Sequence, residues 1–360
     1  MNARPEASVF FLVPDAIDDA ERVSGGNVYD QRIRDGLRAE GWEVRMIRVA
    51  ENEPGRTADA LSQLPDGTLL LVDGLLATHH TDAIAAEGAR LRLVVLAHMI
   101  AADLADSERR AYGVARRIIA TSNWTRGGLI AQGVADPARI AVAHPGADPA
   151  ATTAASSSGH RLLCVGTVAP HKGQDLLVRS LADCSDVPGW TCTIVGSLHA
   201  APDFVTALRA AIASAGLADR IEFTGVLAGR PLEEAYGRAD LVIALSRSES
   251  YGMVVAEALA RGIPVLTSGV GGIPEAIAQD AAAMTVPLDD PWALDVVLHR
   301  WWASPALRRE RKAAALKARD AARPWSTTTA IVASTLAEAA LAHAGAAFRG
   351  DVSADSVPRR

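Results

Sequence analysis

Two glutamates, Glu249 and Glu257, and one lysine, Lys172, carry the chemistry that this sequence offers most directly. Glu249 sits in a polar loop over 246–252, and Glu257 follows inside an apolar segment over 253–261 that reads as a helix. A helix start preceded by Ser250-Tyr251-Gly252 presents free backbone N–H groups and a partial positive charge, which suits a phosphate. Tyr251, Gly252, Met253 and Val254 form that start. Glu257 lies about one turn further in. A carboxylate there would repel a phosphate but accepts hydrogen bonds from a ribose diol, the role that an acidic residue fills in nucleotide-binding folds. Taken singly, each glutamate also fits a solvated charge.

The elements around these residues must hold them in place. Residues 241–245 form a short apolar run bounded by breaks, which predicts a buried strand. The helix over 253–261 is stopped by Gly262 and Pro264, a second strand follows over 264–267, and Gly269-Val270-Gly271-Gly272 makes a flexible loop. A strand, a helix and a strand in this order imply a parallel sheet with ligands at the carboxyl ends of its strands.

The string S-x-x-E-S-Y-G-x-x-x-x-E-A-x-A-x-G-x-P-V over 246–265 resembles the E-x7-E element of retaining, nucleotide-sugar-dependent glycosyltransferases of the GT-B fold, the family-4 or group 1 glycosyl transferases. The following residues, 262–277, resemble that family's next strand and glycine loop. Gly166-Thr167-Val168-Ala169-Pro170-His171-Lys172-Gly173 resembles the family's G-R-L-x-P-x-K-G, in which Arg and Lys neutralise the donor diphosphate. Charge logic supports Lys172 independently. A departing nucleoside diphosphate gains negative charge, and fixed cations aimed at it lower the barrier. Thr167 stands where the family has Arg, so His171 or Arg247 would have to compensate. The resemblance also implies that Gly225, Val226 and Leu227 cradle the nucleotide base.

Over the first half the resemblance is positional. Apolar runs over 9–13, 43–49, 69–72, 91–97 and 116–120 predict strands. Ser24-Gly25-Gly26-Asn27 reads as a loop after the first strand, before a helix over 28–39, and Gly25 and Gly26 let the backbone approach a phosphate. His98 stands just beyond the fourth run, where the family places a His near the transferred sugar. Thr121-Ser122 matches a T-S loop of the family, and His144–Asp148 resembles its P-N-G-V-D. His79 and His80 read as solvated residues at a helix start. The implied fold is α/β, GT-B, with two Rossmann-like domains whose parallel sheets face a cleft. An acceptor-binding domain spans 1–150, a nucleotide-sugar-binding domain 151–324, a helix over 325–344 returns to the first domain, and 345–360 is a poorly ordered tail. Ser326 is the expected cap of that helix, and Trp301-Trp302 pack between helices.

Composition agrees with an enzyme of this kind. At 360 residues there is room for two domains, and 49% hydrophobic against 22% charged residues suits a core-forming α/β protein. A net charge of −6 argues against nucleic-acid binding. Membrane contact would be peripheral at most, through Arg109-Arg110 or Arg116-Arg117. The three cysteines show no metal or redox spacing, and no run predicts a signal peptide or membrane span, so a cytoplasmic protein is expected.

There is no D-x-D motif, since Asp18-Asp19 and Asp289-Asp290 are adjacent pairs, and no zinc cluster, G-x-S-x-G or Walker loop appears. The expectation is metal-independent, cofactor-free transfer of a sugar from a UDP-, GDP- or ADP-linked donor to an acceptor hydroxyl of a glycan, lipid or small metabolite, with retention implied by the family. Glu249 would contact the sugar hydroxyls, Glu257 the ribose, and His98 the sugar and acceptor. Gly26, Lys172 and the amides of 252–254 would hold the diphosphate, with Gly25, Gly166 and Thr167 beside them. Two other readings stay open: another GT-B enzyme such as an epimerase or phosphorylase, and a non-catalytic nucleotide-sugar binder.

Overall fold

The computed structural model describes residues 7–100, 106–153, 155–277, 282–290 and 292–341. The tail expected over 345–360 lies outside them. Strands β1 (Ser8–Pro14), β2 (Glu43–Val49), β3 (Leu69–Asp73), β4 (Arg92–Ala97), β5 (Arg117–Ala120) and β6 (Ile140–Val142) form one sheet in the order β2-β1-β3-β4-β5-β6. Strands β7 (Arg161–Val165), β8 (Thr191–Val195), β9 (Ile221–Gly225), β10 (Leu241–Ala244), β11 (Val265–Thr267) and β12 (Ala283–Thr285) form a second, in the order β12-β11-β10-β7-β8-β9. Every strand pair is parallel.

Both sheets are covered on both faces, which explains the unbroken apolar runs. Successive residues of β3 alternate: Leu70 and Val72 join one core cluster, Leu69 and Leu71 the other. In the second sheet Leu162 and Cys164 face one core and Leu163 the opposite one. Each sheet reverses its winding beside its central pair, β1 and β3 or β7 and β10. Such a switch point opens a crevice at the carboxyl ends of the strands, and the site residues stand there.

The chain passes between the sheets twice. It leaves the first after β6 and returns through the helix Trp325–Leu341, whose Val332, Leu336 and Ala339 complete the first sheet's core. The two passages touch. The Ala147 N–H donates to the Arg323 carbonyl at 2.9 Å, the Thr328 hydroxyl donates to the His144 carbonyl at 2.7 Å, and a Cβ on Gly146 would collide with Trp325. This tight seat is why Gly146 has no side chain.

Three expectations need correction. Gly25 and Gly26 are not in a loop but in the first turn of the helix Gly25–Ala39, because Ser24 caps it by accepting from the Asn27 N–H at 3.0 Å. His80 is buried, not solvated. It follows the helix Gly74–His79, and its two ring nitrogens bond the Thr57 hydroxyl at 2.8 Å and the Glu51 carbonyl at 3.0 Å. Ser326 lies inside the last helix, which begins at Trp325, so it is not the cap. Trp301 and Trp302 are buried as expected, and all three cysteines are buried and free, with burial raising each thiol.

Candidate active site

In the second half of the chain the site is built on β10 and the helix Met253–Ala260. Gly252 caps this helix with a φ of 94°, a left-handed conformation that costs glycine little. The Gly252 carbonyl accepts from Val255 and Ala256, which leaves the Met253 and Val254 amides ahead of the first helical bonds. Gly252, Val254 and Val255 line a small cavity with Ser246, Glu249 and Lys172. Lys172 enters it from the turn Pro170–Lys172 after β7, and its Nζ donates to Glu249 Oε2 at 2.7 Å. The Ser246 hydroxyl adds a second bond to the same oxygen at 3.1 Å.

Glu257 follows on the same helix and is partly buried. Its Oε2 accepts from the Tyr236 hydroxyl at 2.8 Å, and the other oxygen has no hydrogen-bond partner among the described residues. Burial raises this carboxyl, opposed by the Tyr236 bond and by Arg261. Gly225, at the end of β9, has a φ of 75°, and Val226 and Leu227 continue it as half-buried backbone near this helix, Leu227 packing against the core that includes Val255. Gly166 ends β7 beside the aliphatic stem of Lys172.

Thr167 offers no charge, and neither proposed substitute is free to supply it. Arg247 is held by Asp175 through two bonds of 2.7 and 2.8 Å. The His171 imidazole is lowered by burial and by Lys172, which disfavours its charged form. Beside Thr167 stands a group that the sequence did not flag. Gln174 is fully buried and lines the cavity; its amide donates to the Thr167 carbonyl at 3.0 Å, and its own oxygen has no hydrogen-bond partner among the described residues. The Tyr251 ring faces the other way, 5.6 Å from the His144 ring, and its hydroxyl accepts from Arg323 at 3.3 Å.

The first half contributes the opposite wall. The amides of Gly25 and Gly26 precede the capped turn, so this helix too presents a free amino terminus. A Cβ on Gly25 would stand 3.6 Å from Met253 Sδ, and one on Gly26 would stand 3.5 Å from the His98 ring. Two positive helix ends thus meet across the cleft, with His98 between them and the first sheet.

His98 is fixed by two acids that sequence reasoning missed. Its Nε2 lies 2.8 Å from Asp30 Oδ1 and 3.2 Å from Asp73 Oδ2. Asp30 stands in the middle of an amphipathic helix, where it reads as a surface charge, yet it is fully buried. Asp73 caps the helix Gly74–His79 by accepting from Leu75 and Leu76; an Asp-Gly at a strand end was its sequence signal. Burial alone would lower the His98 imidazole, but the two carboxylates outweigh it and raise it. Burial raises Asp30, opposed by His98. For Asp73 the upward effect of burial is exceeded by its hydrogen bonds, and it is lowered. The ligand atoms of these three residues lie within 4.8 Å of one another, a density that could hold a metal ion. The upward shift of the imidazole favours its charged form between the two carboxylates.

The two arginine doublets are not bare cationic patches. Arg110 faces Asp82, and Arg117 faces Glu338 at 3.1 Å.

Residues 153–318 match the family model described as glycosyl transferases group 1. Over this stretch the chain is similar to that family. Among curated relatives, D-inositol 3-phosphate glycosyltransferase of Mycobacteroides abscessus is 34% identical over 200 residues, covering 52% of this chain and 44% of the relative. The Streptosporangium roseum protein of the same name is 31% identical over 252 residues, covering 64% and 57%. The chain therefore spans about half the length of the curated relatives that it matches. Among solved structures, sucrose-phosphate synthase from Thermosynechococcus elongatus aligns with a TM-score of 0.77 at 18% identity, covering 92% of this chain and 98% of the other. Anabaena HepE, solved with UDP-glucose, aligns at 0.75 and 19% identity, covering 92% and 99%. The stretch that matches group 1 glycosyl transferases thus sits within a GT-B fold, and these alignments cover 92% of the chain. Among the described residues no helix is long and apolar enough to cross a membrane.

Proposed function

We propose that this protein moves a sugar from a nucleoside diphosphate donor to an acceptor hydroxyl, with retention at the anomeric carbon and without a metal. The observation that carries this reading is the meeting of two free helix amino termini, at Gly25-Gly26 and at Met253-Val254, beside the Lys172–Glu249 pair. A diphosphate placed there would accept from amides of both halves and take Lys172 as its counter-ion. In the transfer, the bond from the anomeric carbon to the phosphate oxygen breaks and the acceptor oxygen bonds that carbon. The acceptor proton passes to the departing diphosphate. Lys172 and the two helix ends supply the positive potential that this charge requires.

Glu249 has a defined part in this reading. Its carboxylate pairs with Lys172 at 2.7 Å. When the diphosphate takes the lysine, the carboxylate is released to accept from the sugar's hydroxyls. Glu257 offers its unpaired oxygen to the ribose. His98, held as a cation by Asp30 and Asp73, faces the transferred sugar. HepE was solved with UDP-glucose, which makes a UDP-sugar the first donor to test. The three buried free thiols agree with action in the cytoplasm.

The test is a thermal-shift panel of UDP-, GDP- and ADP-sugars with and without magnesium, followed by nucleoside diphosphate release with candidate acceptors. One donor should stabilise the protein without metal, and release should require an acceptor. Binding without release, over a broad acceptor set, would instead favour a non-catalytic binder.

A further inference from the structure

The Glu275 carboxylate is a heavily bonded group that the reading above leaves unused, and its bonds cross from one domain to the other. It rises from the short helix Ile273–Ala276 of the second domain and ends on the first. Its Oε2 accepts from the Asn123 N–H at 2.7 Å and from Asn123 Nδ2 at 2.8 Å, and its Oε1 accepts from the Trp124 N–H at 2.8 Å. His144 Nε2 lies 2.7 Å from Oε2. Asn123 and Trp124 open the helix Asn123–Ala131, whose Ser122 cap serves only the Thr125 N–H, at 2.9 Å. The first two amides of a first-domain helix are therefore satisfied by an anion from the other domain.

The same turn that carries Glu275 also holds Glu249. The Gly272 N–H donates to the Glu249 carbonyl at 2.9 Å. Gly271 and Gly272 press so closely on the carbonyls of Glu249 and Ser250 that a Cβ on either would overlap them. The main chain of Glu249 and the side chain of Glu275 thus belong to one packed unit. One end of the unit meets the cavity and the other grips the first domain.

We propose that Glu275 is a positioning residue. It clasps the helix at Asn123 and so fixes the Glu249 loop opposite His98 when the cleft is closed. This inference rests on the transfer reaction proposed above. The clasp makes donor-side and acceptor-side groups meet in one register, without Glu275 touching either substrate. Removing it should leave donor binding by Lys172 and the Met253 helix in place and should slow the chemical step.

The test is hydrogen exchange on the full chain for wild type, Glu275→Ala, Glu275→Gln and Asn123→Ala. Charge-assisted bonds of this kind are worth enough that the Asn123 and Trp124 amides should exchange at least about tenfold faster in Glu275→Ala. Amides over 249–252 should speed up with them. Asn123→Ala, which keeps the main-chain bonds, should show a smaller change. With the donor that the panel selects, turnover should fall about tenfold or more while its KM stays within about twofold. Unchanged protection at 123–124 in Glu275→Ala would overturn the clasp. Freed amides there with 249–252 unaltered would overturn the coupling. If Glu275→Ala does not fold, Glu275→Gln, of equal shape, reads the same amides. Failure of every nucleotide to bind wild type would count against the transfer reading alone, because the exchange data decide the clasp without a ligand.

Discussion

Lys172 Nζ and Glu249 Oε2, from two different turns of the second sheet, stand 2.7 Å apart and form the charge pair of the candidate site. A donor that takes up one partner must release the other. Glu249→Ala should therefore lower transfer by about a hundredfold or more, the scale of losing one aimed polar group at a reacting centre. The cost in stability should be below about 2 kcal/mol, because the pair borders an open cavity. Steady-state rates and urea unfolding of the same preparation check both parts. Wild-type activity in the variant would remove Glu249 from the site.

A pH dependence follows from His98 and Asp30. The imidazole is raised in the folded protein, so its contribution is complete below the ordinary value of 6.5 and is lost as pH rises through the folded value. Unfolding midpoints should fall steadily above neutral pH. Asp30→Asn takes away one of the two carboxylates that hold the charge, so the imidazole should move down and the fall should flatten. Imidazole resonances followed by NMR report this directly. A His98 that titrates near the ordinary value in wild type would contradict the ion cluster.

Gly271 gives a conformational prediction. Its φ is 62°, in the left-handed region, and its Cα lies against the Glu249 carbonyl. Gly271→Ala should cost about 1–2 kcal/mol from the backbone alone, with the overlap adding to it. Because the displaced atom belongs to Glu249, turnover should fall together with stability. Chemical unfolding and steady-state rates of one sample separate this from a purely structural effect, which would leave turnover of the folded fraction intact.

The returning helix is a structural part of the first half. Leu336 is fully buried in the core of the first sheet, and Leu341 is 73% exposed. Leu336→Ala should cost about 2–5 kcal/mol, whereas Leu341→Ala should stay within about 0.5 kcal/mol. Equal effects would mean that the helix does not complete that core in solution.

What the sequence made legible is unevenly spread, for physical reasons. Glu249 and Glu257 could be placed because their spacing rides on one strand–helix–strand unit, where local periodicity fixes the geometry, and Lys172 because it stands in a glycine-bounded turn after β7. The apolar runs of β3 and β4 announced strands buried on both faces for the same reason. Asp30 was hidden because a buried acid in an amphipathic helix looks like a solvated one until its partner, 68 residues away, is placed beside it. His80 reads as solvated for the same reason, since Thr57 and Glu51, which satisfy it, lie elsewhere in the chain. Glu275 bonds a helix more than 150 residues earlier, and no local pattern announces such a contact. The first turn at Gly25 reads as a loop in the sequence because glycines are poor helix formers, and only the Ser24 cap shows the helix already begun.

The two passages between the halves are bonded to each other, Ala147 to Arg323, with Gly146 seated on Trp325. Two tethers pinned side by side behave as a pivot. They let one half swing about a line through the pair and resist sliding or twisting of one half past the other. An opening along such an arc would bring the faces at Gly25 and Met253 back to the same place at the end of each swing. Precision at the cleft would thus be set by a joint beside it, since the Tyr29 ring stands 5.6 Å from the Trp325 ring and 5.2 Å from the His98 ring.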